Sequence, residues 1–115
     1  MSQRATGIGG VFFRARDPDA LREWYAEHLG VTFEPLWEQE AGPTVWAPFK
    51  ADTDYFGRPE QAWMINFRVD DLDAMVDQLS AAGIAVEPGP GDEHGRFART
   101  WDPEGNPVEL WEPPR

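Results

Sequence analysis

The last predicted strand carries an acidic side chain that is placed for acid–base chemistry. Glu109 lies between Val108 and Leu110, and side chains alternate between the two faces of a strand, so Glu109 and Trp111 share the face away from the aliphatic pair. Apolar neighbours on that face would disfavour the ionised carboxylate and raise its pKa towards a useful range. We predict Glu109 as a catalytic acid or base; the alternative is that it pairs with a buried arginine.

A loop histidine is the second candidate for proton transfer. His94 comes directly before Gly95 and Arg96, and imidazole exchanges protons near neutral pH, so His94 is predicted to be catalytic. The alternative is a solvent-facing histidine without a role. His28 falls on the apolar stripe of the first predicted helix and is interpreted as structural.

Arginines and large side chains supply the candidate ligand contacts. The predicted substrate-binding residues are Phe12, Arg14, Trp46, Tyr55, Trp63, Met64, Asn66, Arg68, Arg96 and Trp111. The guanidinium groups among them could receive a carboxylate or phosphate, unless they are simply exposed. The aromatic rings could enclose a planar ligand, or the tryptophans could instead anchor a dimer interface.

An internal repeat indicates which elements position these residues. The segments 13–20 and 67–74 share a phenylalanine, an arginine, two aspartates and an alanine. In each copy an aspartate, Asp17 or Asp71, is a suitable helix N-cap and is followed by apolar residues at helical spacing that end at a glycine. An extended apolar segment follows each glycine. Both copies therefore predict a strand, a helix and a second strand.

Shorter strands complete each copy. They are predicted at residues 36–39, 44–47, 96–101 and 108–111. Each copy is then a β-α-β-β-β module, with module one at about 7–50, a linker at about 51–61 and module two at about 62–113. The predicted fold is a single α+β domain in which two tandem modules form a curved mixed sheet around a cavity.

The run Asp-Pro-Glu-Gly-Asn-Pro-Val-Glu-Leu at 102–110 resembles the ending of the vicinal oxygen chelate superfamily. This superfamily includes glyoxalase I, bleomycin-resistance proteins and extradiol dioxygenases. The resemblance covers residues 8–113 and implies the paired-module fold and a small organic ligand. In metal-binding members the glutamate at the position of Glu109 is the last metal ligand.

The other positions that carry ligands in metal-binding members lack donors in this chain. The first-strand ligand position falls on Gly10, its counterpart in the second module is Met64, and Val45 lies opposite Glu109 in the repeat. A thioether is a poor ligand for hard divalent ions. We therefore predict no family-type metal site and no cofactor. The alternative is a displaced divalent-metal site, in which Glu109 could be joined by His94 or Glu93, or by Asp52 and Asp54.

Composition limits the partners. The 115 residues include 21 acidic and 10 basic side chains, for a net charge of −11, which opposes binding to a phosphate backbone and argues against nucleic acid. No apolar run approaches the roughly 20 residues that span a bilayer, so we predict no membrane association and a cytoplasmic location. With no cysteine in the chain, any metal would need oxygen or imidazole ligands.

The leading functional hypothesis is a glyoxalase-like protein that takes a small organic molecule in an aromatic cavity without metal and could act as a lyase or isomerase. One alternative is a non-catalytic protein that sequesters its ligand. The other is a divalent-metal lyase or dioxygenase with the displaced site. The resemblance to bleomycin-resistance proteins, in which a chain of this size commonly forms its cavity between two subunits, implies a homodimer, and the six tryptophans could anchor its interface.

Overall fold

The computed structural model describes residues 2–33 and 35–115. Their helices and strands are α1 (Pro18–Leu29), β1 (Ile65–Arg68), α2 (Leu72–Ala81), β2 (Val86–Pro88), β3 (Arg96–Trp101) and β4 (Pro107–Glu112). The strands form one mixed sheet in the order β1-β4-β3-β2, in which β1 runs parallel to β4 and the other neighbours are antiparallel. The fold is therefore a small α+β fold, as predicted. Neither helix of the described chain is long and apolar enough to cross a membrane.

Both helices begin at the predicted aspartate caps. The side chain of Asp17 accepts a hydrogen bond from the backbone N–H of Ala20 at 3.1 Å, and that of Asp71 accepts one from Ala74 at 3.0 Å. Each bond satisfies a donor that the first helical turn leaves without a partner. Helix α1 ends at Gly30, whose φ of +70° suits a residue without a Cβ.

The second half of the chain has the predicted β-α-β-β-β order, whereas the first half differs from the prediction. Within residues 2–33 and 35–64 the structure contains one helix and no strand, so the segments at 11–15, 36–39 and 44–47 are irregular. A strand needs a partner for its backbone hydrogen bonds, and the described ladder lies between residues 65 and 112. The second module is thus present, and a matching first module is not formed in the single chain.

The apolar core lies on one face of the sheet. Its buried members are Leu21, Tyr25, Leu72, Leu79, Ala98, Val108 and Leu110. Both helices contribute to it, so they cover the sheet face that carries Val108 and Leu110. Glu109 projects from the opposite face, as the alternation of β4 predicts.

The turn between β3 and β4 is organised by one buried carboxylate. Asp102 Oδ1 accepts hydrogen bonds from the backbone N–H of Glu104 at 2.9 Å and of Asn106 at 3.0 Å. Its Oδ2 accepts from Asn106 Nδ2 at 2.9 Å and from the Tyr25 hydroxyl at 2.7 Å. Burial, together with Asp102, raises the pKa of Tyr25 far above its ordinary value, so the phenol stays a neutral donor. The turn therefore ties α1 to the sheet.

A second carboxylate of the same turn holds the start of α1. The Glu104 oxygens accept hydrogen bonds from the backbone N–H groups of Arg16 at 2.7 Å and Asp17 at 2.9 Å. The bonds from Asp17 and then Arg16 hold the pKa of the Glu104 carboxyl below its ordinary value of 4.5. The folded state therefore stabilises the ionised form of the Glu104 carboxyl.

This lowered pKa predicts a dependence of stability on pH. The Glu104 pKa is lower in the folded than in the unfolded chain, so its contribution is fully present above about pH 4.5 and is lost as the pH falls through the folded value. We expect the free energy of unfolding, measured in urea across this range, to fall less steeply for Glu104→Gln than for the wild type. Glu23→Gln, on the exposed surface of α1, is the control. Identical pH profiles for all three proteins would contradict the role of Glu104.

Candidate functional site

Glu109 is the centre of a polar cluster on the sheet face that the helices leave open. The parallel register of β1 places Asn66 beside it, and the antiparallel register of β3 places Arg99 on its other side. Asn66 Nδ2 donates a hydrogen bond to Glu109 Oε1 at 2.8 Å, and the Tyr55 hydroxyl donates one to Oε2. We call Glu109, Asn66, Arg99 and Tyr55 the Glu109 cluster. Glu109 is only 9% exposed, and a neutral donor bonds to each of its two carboxylate oxygens.

Tyr55 reaches the cluster from the segment that precedes β1. Its backbone N–H donates to Thr53 Oγ1 at 3.2 Å, and its ring stacks on Phe49 with centroids 5.5 Å apart. The Arg99 guanidinium carbon lies 4.7 Å from the Tyr55 ring centroid, within the range of a cation–π contact. Burial, followed by the hydrogen bond and charge of Glu109, raises the Tyr55 pKa, so the phenol donates as a neutral group. At 42% exposed, the ring borders solvent.

Two stacked rings lie next to the Glu109 cluster. Trp111 follows Glu109 on the same face of β4, and the β3 register places Phe97 opposite it. Their ring planes are 9° from parallel, with centroids 6.4 Å apart. Trp111 is buried and its Nε1 donates to the His94 carbonyl oxygen at 2.8 Å, so the indole is fixed and Phe97 forms the more accessible surface. The open face thus joins a carboxylate, an amide, a phenol and a cation to an aromatic wall.

Two members of this arrangement, Phe97 and Arg99, were not among the predicted site residues. The sequence contained a signal for them, because residues 97, 99 and 101 of β3 alternate onto one face. The pairing of Arg99 with Glu109 places residues 97, 99 and 101 on the sheet face that carries Glu109. This register is a tertiary contact and cannot be read from β3 alone.

Two predicted residues of β1, Asn66 and Arg68, are brought to the Glu109 face, and two others directly precede this strand. Asn66 is bonded to Glu109, and Arg68, opposite Trp111 in the register, donates to the carbonyl oxygen of Glu40 at 3.1 Å. Met64 is half-buried directly before β1. The neighbouring Trp63 packs its ring against Phe13, with centroids 5.0 Å apart.

Three other predicted residues are not brought to the Glu109 cluster. Arg96 forms an ion pair with Asp73 of α2, with a shortest distance of 2.6 Å, so its guanidinium lies towards the helices. Phe12 and Trp46 are 96% and 82% exposed, so neither packs against the cluster within one chain.

The remaining two predicted residues also lie elsewhere. The His94 side chain is 74% exposed, and its Nε2 lies 3.5 Å from the carboxylate of Glu93. Its backbone carbonyl, and not its imidazole, contacts Trp111. Arg14 lines a separate cleft with Arg16 and Arg58.

The metal that metal-binding family members hold does not fit the groups around Glu109. A metal ion needs several protein ligands around one point, whereas Asn66 and Tyr55 meet Glu109 as hydrogen-bond donors to its carboxylate. In the described part of the chain no three histidine, aspartate or glutamate side chains are grouped so that they could hold a metal ion. We therefore derive no chemistry through a metal at this site.

Comparison with known proteins identifies the family. The pattern of the Glyoxalase-like domain matches residues 10–111. The chain therefore belongs to this family, within the vicinal oxygen chelate superfamily, and the resemblance predicted from its terminal turn and strand is confirmed. No curated protein sequence matches the chain significantly.

Solved structures agree with this assignment. The chain is similar to TnmS3, an antibiotic binding protein from Streptomyces sp. CB03234, with 30% identity over 85% of this chain and 88% of that one and a TM-score of 0.58. A glyoxalase/bleomycin resistance protein from the same organism is 29% identical over 84% and 91% of the two chains, with a TM-score of 0.55. A glyoxylase/bleomycin resistance protein/dioxygenase domain from Frankia sp. EAN1pec, 21% identical over 96% and 100% of the chains with a TM-score of 0.63, shares the fold.

Proposed function

We propose that this protein binds a small aromatic molecule on the open face of its sheet, with the Glu109 cluster as the polar anchor. The observation that carries the proposal is a largely buried carboxylate, bonded by Asn66 and Tyr55, beside the accessible ring of Phe97. Ligand sites are mostly apolar surfaces with a few fixed polar groups that set orientation. The similarity to TnmS3, an antibiotic binding protein, supports the same conclusion.

The chemistry of the cluster indicates which ligands it favours. Glu109 is an acceptor, Asn66 can accept through its carbonyl oxygen as well as donate, and Arg99 offers a cation beside the Tyr55 ring. A planar ring could stack beside Phe97 and Tyr55 while a hydroxyl or N–H group on its edge bonds to Glu109. The proposed ligand is therefore an aromatic compound with at least one hydrogen-bond donor.

The geometry favours binding of the ligand over its chemical conversion. General acid–base catalysis needs a positioned group that exchanges a proton with the substrate. The raised pKa of Tyr55 keeps its phenol protonated, Glu109 accepts hydrogen bonds from Asn66 and Tyr55, and the His94 imidazole is exposed in its loop beside Glu93. The ligand is therefore held and not converted.

Incubation of the protein with each aromatic compound that raises its unfolding temperature distinguishes these functions. We expect mass spectrometry to recover the compound unchanged, because the raised pKa of Tyr55 keeps its proton on the phenol and Asn66 and Tyr55 hold Glu109 as an acceptor. Time-dependent formation of a product that the Glu109→Gln variant no longer forms would instead establish the lyase or isomerase function.

We propose further that two chains associate as a homodimer. Within residues 2–33 and 35–115, the large apolar side chains that stay exposed lie between residues 8 and 55, and Phe12, Leu36 and Trp46 are among them. Exposed apolar surface of this kind marks protein interfaces. A second copy would cover it and could provide the partner that the irregular first-half segments lack.

The proposed dimer predicts a molecular mass in solution and a variant that should lower it. Sedimentation equilibrium of the wild type should give twice the chain mass of 13.0 kDa, and Trp46→Ser should shift the equilibrium towards the monomer because it removes an exposed apolar anchor. Glu38→Gln, an exposed change in the same half, should leave the dimer intact. A wild type that stays monomeric at high micromolar concentration would refute the dimer.

A further inference from the structure

A separate cleft on the surface gathers three arginines. Arg14, Arg16 and Arg58 line an open depression of about 290 Å³ together with Glu104 and Asn106 of the β3–β4 turn. The Arg58 guanidinium lies beside Gly105 of this turn, and its Nη2 donates a hydrogen bond to Gln61 Oε1 at 3.2 Å. Three of the ten basic residues of a chain with a net charge of −11 therefore share one concave surface.

The carboxylates near this cleft leave much of its positive charge unpaired. The two Glu104 oxygens accept backbone hydrogen bonds from Arg16 and Asp17, which directs that carboxylate at the start of α1. Glu60 lies 3.6 Å from Arg58 and is 73% exposed, and a surface ion pair of this kind is weak. Across residues 2–33 and 35–115, neither Arg14 nor Arg16 has a carboxylate within ion-pair distance of its guanidinium.

We propose that this cleft binds a phosphate group through Arg14, Arg16 and Arg58. The planar guanidinium forks match the oxygens of a tetrahedral anion and can donate to them in pairs. The charged residues that line the cleft, three arginines and Glu104, carry a net positive charge that favours an anion, and the exposed Glu60 beside Arg58 offsets part of it. The site is independent of the Glu109 cluster, because its lining residues do not overlap with that cluster.

Titration calorimetry with inorganic phosphate tests the site on the full chain, with sodium chloride at matched ionic strength as the reference. We expect saturable binding of phosphate that chloride does not reproduce, and about tenfold weaker binding in Arg14→Gln and in Arg58→Gln, because each loses charge-assisted hydrogen bonds. Arg115→Gln removes the same charge outside the cleft and should bind like the wild type. Arg16 is left intact because the charge of its side chain also stabilises the ionised carboxylate of Glu104.

Phenyl phosphate distinguishes the source of the phosphate group. Tighter binding than that of inorganic phosphate would support a phosphorylated organic ligand, and equal binding would support free phosphate; both outcomes support the site.

Thermal unfolding checks that the variants fold, which we expect because the replaced side chains lie at the surface. The proposal is overturned if phosphate gives no saturable heat, or if folded Arg14→Gln and Arg58→Gln variants bind it as tightly as the wild type.

Discussion

Replacement of Asp102 by asparagine is expected to lower the free energy of unfolding by about 3–5 kcal/mol, since hydrogen bonds to a charged group are each worth about 1.5–3 kcal/mol. The carboxylate accepts four hydrogen bonds, from two backbone N–H groups, Asn106 Nδ2 and the Tyr25 hydroxyl. An asparagine amide keeps one acceptor oxygen and turns its NH₂ group towards the remaining donors. Urea unfolding monitored by tryptophan fluorescence measures the loss.

Matched variants separate this effect from the loss of a charge. Asp77→Asn, at an exposed position of α2, should change the stability by less than about 0.5 kcal/mol. Tyr25→Phe removes only one of the four bonds and should cost less than Asp102→Asn. If Asp102→Asn is as stable as Asp77→Asn, the turn does not depend on its carboxylate.

Glu109→Gln is expected to weaken binding of an aromatic ligand by about tenfold to a hundredfold, the equivalent of losing a hydrogen bond to a charged acceptor. The glutamine keeps the shape of the side chain, but its NH₂ group must face either Tyr55 or Asn66. Fold stability should change less than binding, because the Tyr55 hydroxyl can reverse its role and accept from the amide. Calorimetry with a compound found by thermal shift gives the two affinities.

Glu87→Gln is the control for this experiment. Glu87 is the register partner of Arg99 on β2, so it carries the same charge on the same sheet face but lies two strands further from Asn66. Its replacement should leave the affinity unchanged. Equal affinities of wild type, Glu109→Gln and Glu87→Gln would show that Glu109 is not the anchor.

Local rules predicted the helices and the second half of the sheet correctly. Asp17 and Asp71 are N-caps because a short acceptor followed by apolar residues at helical spacing specifies a helix start. The two-residue period of β4 separated Glu109 from Val108 and Leu110, which lie in the core. These features depend on neighbours in the sequence and therefore need no tertiary information.

The features that the sequence did not predict depend on pairing partners. Arg96 was assigned to the cavity, but it lies one residue out of phase with Phe97 and Arg99 and pairs with Asp73 of α2. The run at 102–110 carried the family resemblance, but its sequence did not reveal the contact between Asp102 and Tyr25 of α1. The first-half strands were predicted from local patterns, which do not reveal whether a partner strand is present. The cytoplasmic location and the exclusion of nucleic acid stay predictions.

The most direct measurement of the central claim is an NMR titration of the protein with an aromatic hydroxyl compound found by thermal shift. The side-chain amide of Asn66 donates to Glu109 and gives its own signals, so it reports directly on the anchor. We expect the largest shift changes at this amide and at the backbone amides of Phe97 and Arg99, with signals around Arg14 and on α2 unaffected. Changes that cluster elsewhere and leave the Asn66 amide unmoved would contradict ligand binding at the Glu109 cluster.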